Sequence, residues 1–205
     1  MKFILASASP ARKRLLQSAG IEPIVVAGSF DEEAVPFEAP ESYVETLARG
    51  KAQHVLSESA RLPAGPFLLL ACDSVLIFEG QLHGKPASPE QAMRRWQAMR
   101  GKTGSLYTGH FLVKAASQLA VTVEKECTRI VRTDVSFVNA SDEEIRAYVA
   151  TEEPLRCAGA FALEGFGGLF VERIEGCHSN VIGLSLPALR SMMLELGQSP
   201  VSFWK

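Results

Sequence analysis

Apolar and polar positions fall along the chain in blocks that predict a mixed set of strands and helices. Phe3-Ile4-Leu5-Ala6 is a short apolar run of strand type, followed by the small, hydroxyl-rich turn Ser7-Ala8-Ser9. Pro10 to Leu16 has the character of a helix start, with Ser9 suited to the N-cap and Pro10 to the first helical position. Gly20 is placed to end that helix. Ile21 to Ala27 predicts a second strand, and Pro23 puts its start near a sheet edge. From Glu41 to Ser59, Val44, Leu47, Ala48, Val55 and Leu56 recur at helical spacing as one apolar stripe. Phe67 to Cys72 is an unbroken apolar run, as in a strand buried on both faces. It is interrupted by Asp73-Ser74 and resumes at Val75 to Phe78.

The second half continues in the same manner. Glu79-Gly80 predicts a turn, and Ser88-Pro89-Glu90-Gln91 has the form of a capping box opening a helix to about Met99. Ala92, Trp96 and Met99 face inward on that helix, and Gly101 closes it. Ser105 to Lys114, Leu119 to Cys127 and Arg129 to Val138 predict three consecutive antiparallel strands. Ser141-Asp142-Glu143-Glu144 is a second capping box. Thr151 to Gly168 is loop-rich, and Leu169 to Ile174 predicts a strand. A last helix over Leu186 to Leu196 begins at Ser185 and Pro187 and ends at Gly197, with a tail after it.

Composition narrows the class. With 205 residues, 47% of them hydrophobic, the chain can bury a proper core as one large domain or two lobes. A net charge of -2 disfavours a general nucleic-acid or membrane surface. No apolar stretch is long enough to span a bilayer or to serve as a signal-peptide core. Cys72, Cys127, Cys157 and Cys177 lie far apart without metal-ligand spacing and read as reduced thiols, which points to the cytoplasm. His54, His83, His110 and His178 show no ligand spacing either, and each reads as structural or as surface. The glycines match neither a Walker loop nor a dinucleotide fingerprint.

What chemistry the pattern carries is scattered. The start of the helix after Ser7 and Ser9 offers unpaired N–H groups, hydroxyls, Arg12, Lys13 and Arg14, which reads equally as an anion site and as an ordinary solvated helix start. The loop Gly28 to Pro40 holds Asp31, Glu32, Glu33 and Glu38, either as solvated acids or as oxygen donors for a divalent metal. Lys51 falls inside an apolar stripe, where it either snorkels to the surface or reaches a polar cleft. A carboxylate at Asp73, between two apolar runs, is costly to bury without partners and therefore points to function. Lys85, between Gly84 and Pro86, is a turn lysine or a phosphate ligand. Cations for phosphates and carboxylates for a metal and a water are the kit for phosphoryl or nucleotidyl transfer.

Eight ordered stretches resemble the Maf family of nucleoside triphosphate pyrophosphatases. They are LASASPAR (Leu5 to Arg12), Asp31-Glu32, Tyr43 with LARGKA (Leu47 to Ala52), ACDSV (Ala71 to Val75), GKP (Gly84 to Pro86), TDVSF (Thr133 to Phe137), CAGAFALEGFG (Cys157 to Gly167) and NVIGL (Asn180 to Leu184). The resemblance implies an α/β fold: a single domain over residues 1–197, two-lobed and similar to the inosine triphosphatases. It has an elongated, curved, mixed sheet, flanking helices and a central cleft, and leaves 198–205 as a tail. It implies hydrolysis of a nucleoside triphosphate between the α and β phosphates, with Mg²⁺ or Mn²⁺, in a house-cleaning role on surplus or noncanonical nucleotides. It further implies a homodimer.

On that resemblance Asp73 is the proton acceptor, Glu32 a metal- or water-orienting carboxylate, and both carboxylates are metal ligands. Ser7, Arg12, Lys51 and Lys85 are the groups around the triphosphate. Ala11, Ser74 and Glu164 occupy the positions that set base preference in the family. Ala11 and Ser74 match neither the dTTP/UTP branch nor the 7-methyl-GTP branch, whereas Glu164 agrees with the second. A carboxylate accepts well from the N1–H and N2–H₂ edge of guanine. The competing expectation is a nucleotide-binding regulator of division or growth without catalysis, and the intact Asp73, Glu32, Lys51 and Lys85 set argues against it.

Overall fold

The computed structural model describes residues 1–118 and 120–204. The predicted strand start at Leu119 and the last tail residue, Lys205, lie outside them. The elements in order are β1 (Lys2–Leu5), α1 (Pro10–Ser18), β2 (Ile24–Val25), α2 (Pro40–Ser57), β3 (Gly65–Phe78), β4 (Gln81–His83), α3 (Pro89–Met99), β5 (Thr103–Ser117), β6 (Val121–Phe137), α4 (Asp142–Ala150), β7 (Val171–Glu175), α5 (His178–Ile182) and α6 (Leu186–Glu195). The strands join in the order β2-β1-β3-β5-β6-β7, with β4 as a hairpin partner of β3. Parallel and antiparallel pairs both occur, so the sheet is mixed and the class is α/β.

The chain forms two compact units. One comprises Met1–Asp73, Thr108–Val131 and the chain from Gly183; the other comprises Ser74–Tyr107 and Arg132–Ile182. In the first, β1 runs parallel to both β2 and β3, with Leu5 opposite Val25 on one side and Leu70 on the other. Strand alternation sends Phe3, Leu5, Leu68, Leu70 and Cys72 to one face, where they pack with Leu16 of α1 and Leu189, Met192 and Met193 of α6. Ile4, Ala6, Phe67, Leu69 and Ala71 go to the other, under Ala48, Ala52 and Val55 of α2.

Helix α1 starts as its sequence predicts. Ser9 accepts from the Arg12 N–H, Pro10 is the first helical residue, and Gly20 at φ +76 closes it. The Gly20 N–H donates to Gln17 O and the Ile21 N–H to Leu16 O, which together form a Schellman motif. After α6, residues read from the sequence as a tail form a 3-10 turn, Pro200–Phe203. Phe203 meets Phe3 edge to face, and the Trp204 indole donates to Ala19 O at 2.9 Å.

The second unit is organised around Trp96 of α3. Its ring meets Phe137, Tyr148 and Phe170, each at 5.4 Å between centroids, and its N–H donates to Ala160 O at 2.8 Å. The capping box predicted for α4 is complete. That of α3 is altered: Ser88 caps the Gln91 N–H, but the Gln91 side chain accepts from the Ala87 N–H rather than from that of Ser88.

Other elements depart from the sequence pattern for identifiable reasons. The predicted strands either side of Thr128 are one strand, β6, because nothing between Val121 and Phe137 supplies a glycine, proline or asparagine to turn the chain. Strand β3 likewise runs straight through Asp73-Ser74, since the buried carboxylate finds a cation and needs no break. Strand β2 keeps only Ile24–Val25. The Phe166–Phe170 stretch winds into a 3-10 turn and delays β7 to Val171, and the short α5 has no clear sequence signal.

Candidate active site

The carboxyl ends of β1 and β2 and the stretch of β3 just beyond its pairing with β1 come to one place in the first unit. The Ala6–Ser9 turn leaves β1, the loop from Val26 leaves β2, and β3 continues past Leu70 to Asp73. The carboxyl edge of parallel strands is where an open α/β sheet leaves backbone and side chains available for a ligand. Asp73 continues the series Phe67, Leu69, Ala71, and so points to the face covered by α2.

There it meets Lys51. The lysine ammonium pairs with Asp73 Oδ1 and with Glu32 Oε1, the latter at 2.9 Å. The Lys51 and Asp73 side chains are 18% and 11% exposed, so this pair is largely withdrawn from water, whereas Glu32 at 52% stands at the rim. Of the two outcomes open to Lys51, the reach into a polar cleft is the one adopted. A cavity of about 110 Å³ lies beside it, lined by Ala6, Ser7, Ala8, Gly28, Phe30, Glu32 and Lys51.

The turn after β1 is held open by its own hydroxyls. Ser7 Oγ accepts from the Ser9 N–H at 3.2 Å and from the Arg12 guanidinium at 3.2 Å. Arg12 Nε donates to Gly183 O at 2.8 Å, which fixes the guanidinium plane against the turn that precedes α6. That turn is itself tied down, because the Ser185 N–H donates to Nε2 of buried His110 at 2.9 Å. His110 Nδ1 lies 3.2 Å from Arg129 O, so the neutral ring donates there and accepts from Ser185. Burial, with a smaller contribution from Arg12, pushes the His110 pKa down to about 4.

Two neighbours complete the electrostatic picture. The Tyr43 phenol is raised above its ordinary pKa by burial and by the charges of Asp73 and Glu32. Cys72, beside Asp73 but on the opposite face of β3, is pushed up to about 12 chiefly by burial, which makes it an inert core thiol.

Lys85, Ser74 and Glu164 belong to the second unit. Lys85 and Glu164 both act on the half-buried Cys157 thiol, which burial, Glu164 and Glu153 push up to about 11 against the pull of Lys85. These two residues, 79 positions apart by number, are therefore brought to one neighbourhood. Ala11 is half-buried on α1, and Ser74 follows Asp73 on β3.

Glu32 and Asp73 are hard oxygen donors that already share one cation, Lys51. Such a donor pair suits Mg²⁺ or Mn²⁺, which take part of their coordination from water and phosphate. Among the described residues no group of three or more His, Cys, Asp or Glu converges as a complete protein-only cage.

A family model described as Maf-like protein matches residues 2–196. The chain belongs to the Maf-like family. Relatives span the whole chain. It is 53% identical over 204 residues to a protein of Trichormus variabilis, covering 100% of this chain and 98% of that one. It is 52% identical over 204 residues to one of Cyanothece sp., covering 100% of both. Each of these Maf-like relatives bears the name nucleoside triphosphate pyrophosphatase. A nucleoside-triphosphatase / dITP/XTP pyrophosphatase from Mycobacterium abscessus aligns at a TM-score of 0.32 and 14% identity, over 68% of this chain and 76% of that one.

Two groups around the Maf-like site escaped the sequence reading. Phe30 lines the cavity, and the Gly183 carbonyl orients Arg12. Tyr43 was legible only as part of a motif, although it lies four and eight residues before Leu47 and Lys51 on one helix stripe.

Proposed function

We propose that this Maf-like protein hydrolyses nucleoside triphosphates to a nucleoside monophosphate and pyrophosphate. The observation that carries the reading is the Glu32–Lys51–Asp73 cluster where β3 runs on beyond its pairing with β1, beside the Ser7–Arg12 turn. The shared name of relatives that match along the full chain supports the reaction class.

In this reading Asp73 takes a proton from the water that attacks the α-phosphorus. The new bond joins water oxygen to that phosphorus, the bridging bond to the β-phosphate breaks, and pyrophosphate leaves with the bridging oxygen. Ser7, Arg12 and Lys51 neutralise the charge that grows on the leaving group, with Lys51 turning from the carboxylates to the phosphates. Arg12 has the fork geometry for two phosphate oxygens, already pre-set by its bond to Gly183 O. Lys85 is a further phosphate cation, and Ala11, Ser74 and Glu164 set the base preference, with Glu164 favouring guanine. Glu32 and Asp73 hold a divalent ion when one is bound, and that ion polarises the phosphoryl oxygens. The four free cysteines suit a reducing cytoplasm.

The test is a panel of canonical, methylated and noncanonical triphosphates incubated with Mg²⁺ or Mn²⁺, with products resolved. Monophosphate and pyrophosphate are expected. Orthophosphate with a diphosphate refutes the assigned bond, and binding without turnover under every metal favours the regulator instead.

A further inference from the structure

Glu32 sits on a long loop between β2 and α2, its side chain half exposed and paired only with Lys51 among the described ion pairs. An exposed ion pair fixes geometry weakly, because side-chain entropy and solvent screening oppose it. Something else must hold the loop.

The loop is laid along α2 and touches it at several points. Gly28 packs against the His54 ring so closely that a Cβ there would meet Cδ2 at 2.5 Å, and Ser29 Oγ lies 3.3 Å from His54 Nε2. One helical turn earlier, the Phe30 ring rests on Gly50. A Cβ at Gly50 would meet Cζ, Cε2 and Cε1 of Phe30 at 2.4, 2.5 and 2.9 Å. Beside that contact, Glu32 pairs with Lys51, the residue after Gly50. A local turn, with Asp31 Oδ1 accepting from the Glu33 N–H and Glu32 O from the Val35 N–H, shapes the stretch, and Phe37 meets Tyr43 edge to face beyond it. Glycine is the poorest ordinary residue inside a helix, so one in mid-α2 calls for a packing reason. The Phe30 ring supplies it. The same ring lines the cavity shared by Ser7, Glu32 and Lys51.

We infer that Phe30 and Gly50 form a latch that positions the Glu32 carboxylate for the reaction. The inference rests on the role given to Glu32 above, and Phe30 and Gly50 act through it without taking part in the chemistry.

Gly50→Ala puts a methyl group where the ring lies while improving the helix. It is expected to lower kcat by about tenfold or more, a displaced loop being enough for that, without lowering the melting temperature. In a Glu32→Gln background the same substitution is expected to change kcat by less than about twofold, since both act through one carboxylate. Losses that multiply in the double variant overturn the latch. Hydrogen exchange of amides 28–33 is read independently of activity: faster exchange in Gly50→Ala is expected, and unchanged exchange overturns the latch. If Gly50→Ala does not fold, Phe30→Leu, which leaves part of the space over Gly50 empty, carries the same readouts. A wild-type protein without triphosphate turnover defeats the proposed reaction and leaves the exchange measurement to judge the contact alone.

Discussion

Lys51 and Asp73 meet as an ion pair between α2 and β3, a cation and a buried carboxylate brought together at the edge of one apolar layer. Each alone contradicts its surroundings: a lysine in an apolar stripe and an aspartate in an apolar strand. Together they satisfy each other, and a pair of this kind is costly to break from one side only. The pairing occupies an oxygen of the proposed base, and in the proposed reaction Lys51 turns from it to the phosphates.

Asp73→Asn preserves shape and removes the proposed proton acceptor. Turnover is expected to fall by about 10² to 10⁴, the usual contribution of a positioned general base, while triphosphate binding persists. Steady-state rates with products resolved, together with binding measured by calorimetry, check this. Full turnover in Asp73→Asn removes the residue from the role.

Lys51→Met leaves Glu32 and Asp73 facing the site without their shared cation. The two carboxylates then repel an incoming triphosphate, so KM is expected to rise by about tenfold or more, since charge-assisted contacts are the strong ones. A steeper dependence on added Mg²⁺ should accompany it, because the ion would have to supply the missing charge. Lys51→Arg keeps the charge but brings a larger planar head to a contact made for a compact ammonium, and only partial recovery is expected. KM and kcat measured across a metal titration separate these outcomes.

Several of these relationships were legible in the sequence because each is a local contradiction. Ser9-Pro10 stands where a helix must start, Lys51 breaks a stripe, and Asp73 breaks an apolar run. Choosing Glu32 from among Asp31, Glu32, Glu33 and Glu38 was different: the motif marked it by resemblance, and its physical reason, the reach to Lys51, exists only in the folded loop. Phe30 had no signal at all. Its place depends on empty space at Gly50, twenty residues later, and a glycine in a helix does not announce which ring will cover it. Strand β6 misled for another reason: the break expected at Thr128 had no glycine, proline or asparagine behind it, and the chain runs on from Val121 to Phe137.

Glu164→Gln exchanges a double acceptor for an amide with one acceptor and one donor pair. If the carboxylate reads a guanine edge, the ratio of kcat/KM for guanine over uracil nucleotides is expected to fall by about tenfold or more, the cost of leaving one polar partner unmatched. The triphosphate panel measures that ratio directly, and an unchanged ratio counts against Glu164 as a base contact.

His110 makes the first unit acid-sensitive in a way that reaches Arg12. Its ordinary pKa near 6.5 falls to about 4 in the fold, mainly through burial. Between those values the unfolded chain takes up a proton that the folded chain refuses. The stability contributed by the neutral ring is therefore complete above about pH 6.5, declines as pH falls through that interval, and is gone below about 4. A displacement of this size corresponds to about 3 kcal/mol over the full range. Protonation also destroys the acceptor for the Ser185 N–H, and with it the tie on the turn whose Gly183 carbonyl orients Arg12. Urea unfolding at pH 7 and pH 4.5, compared between the wild type and His110→Gln, isolates the effect from the titrating carboxylates common to both. The variant is expected to be less stable at pH 7 and to lose about 2 kcal/mol less than the wild type on acidification. Equal losses in the two proteins would falsify the assignment of this acid sensitivity to His110.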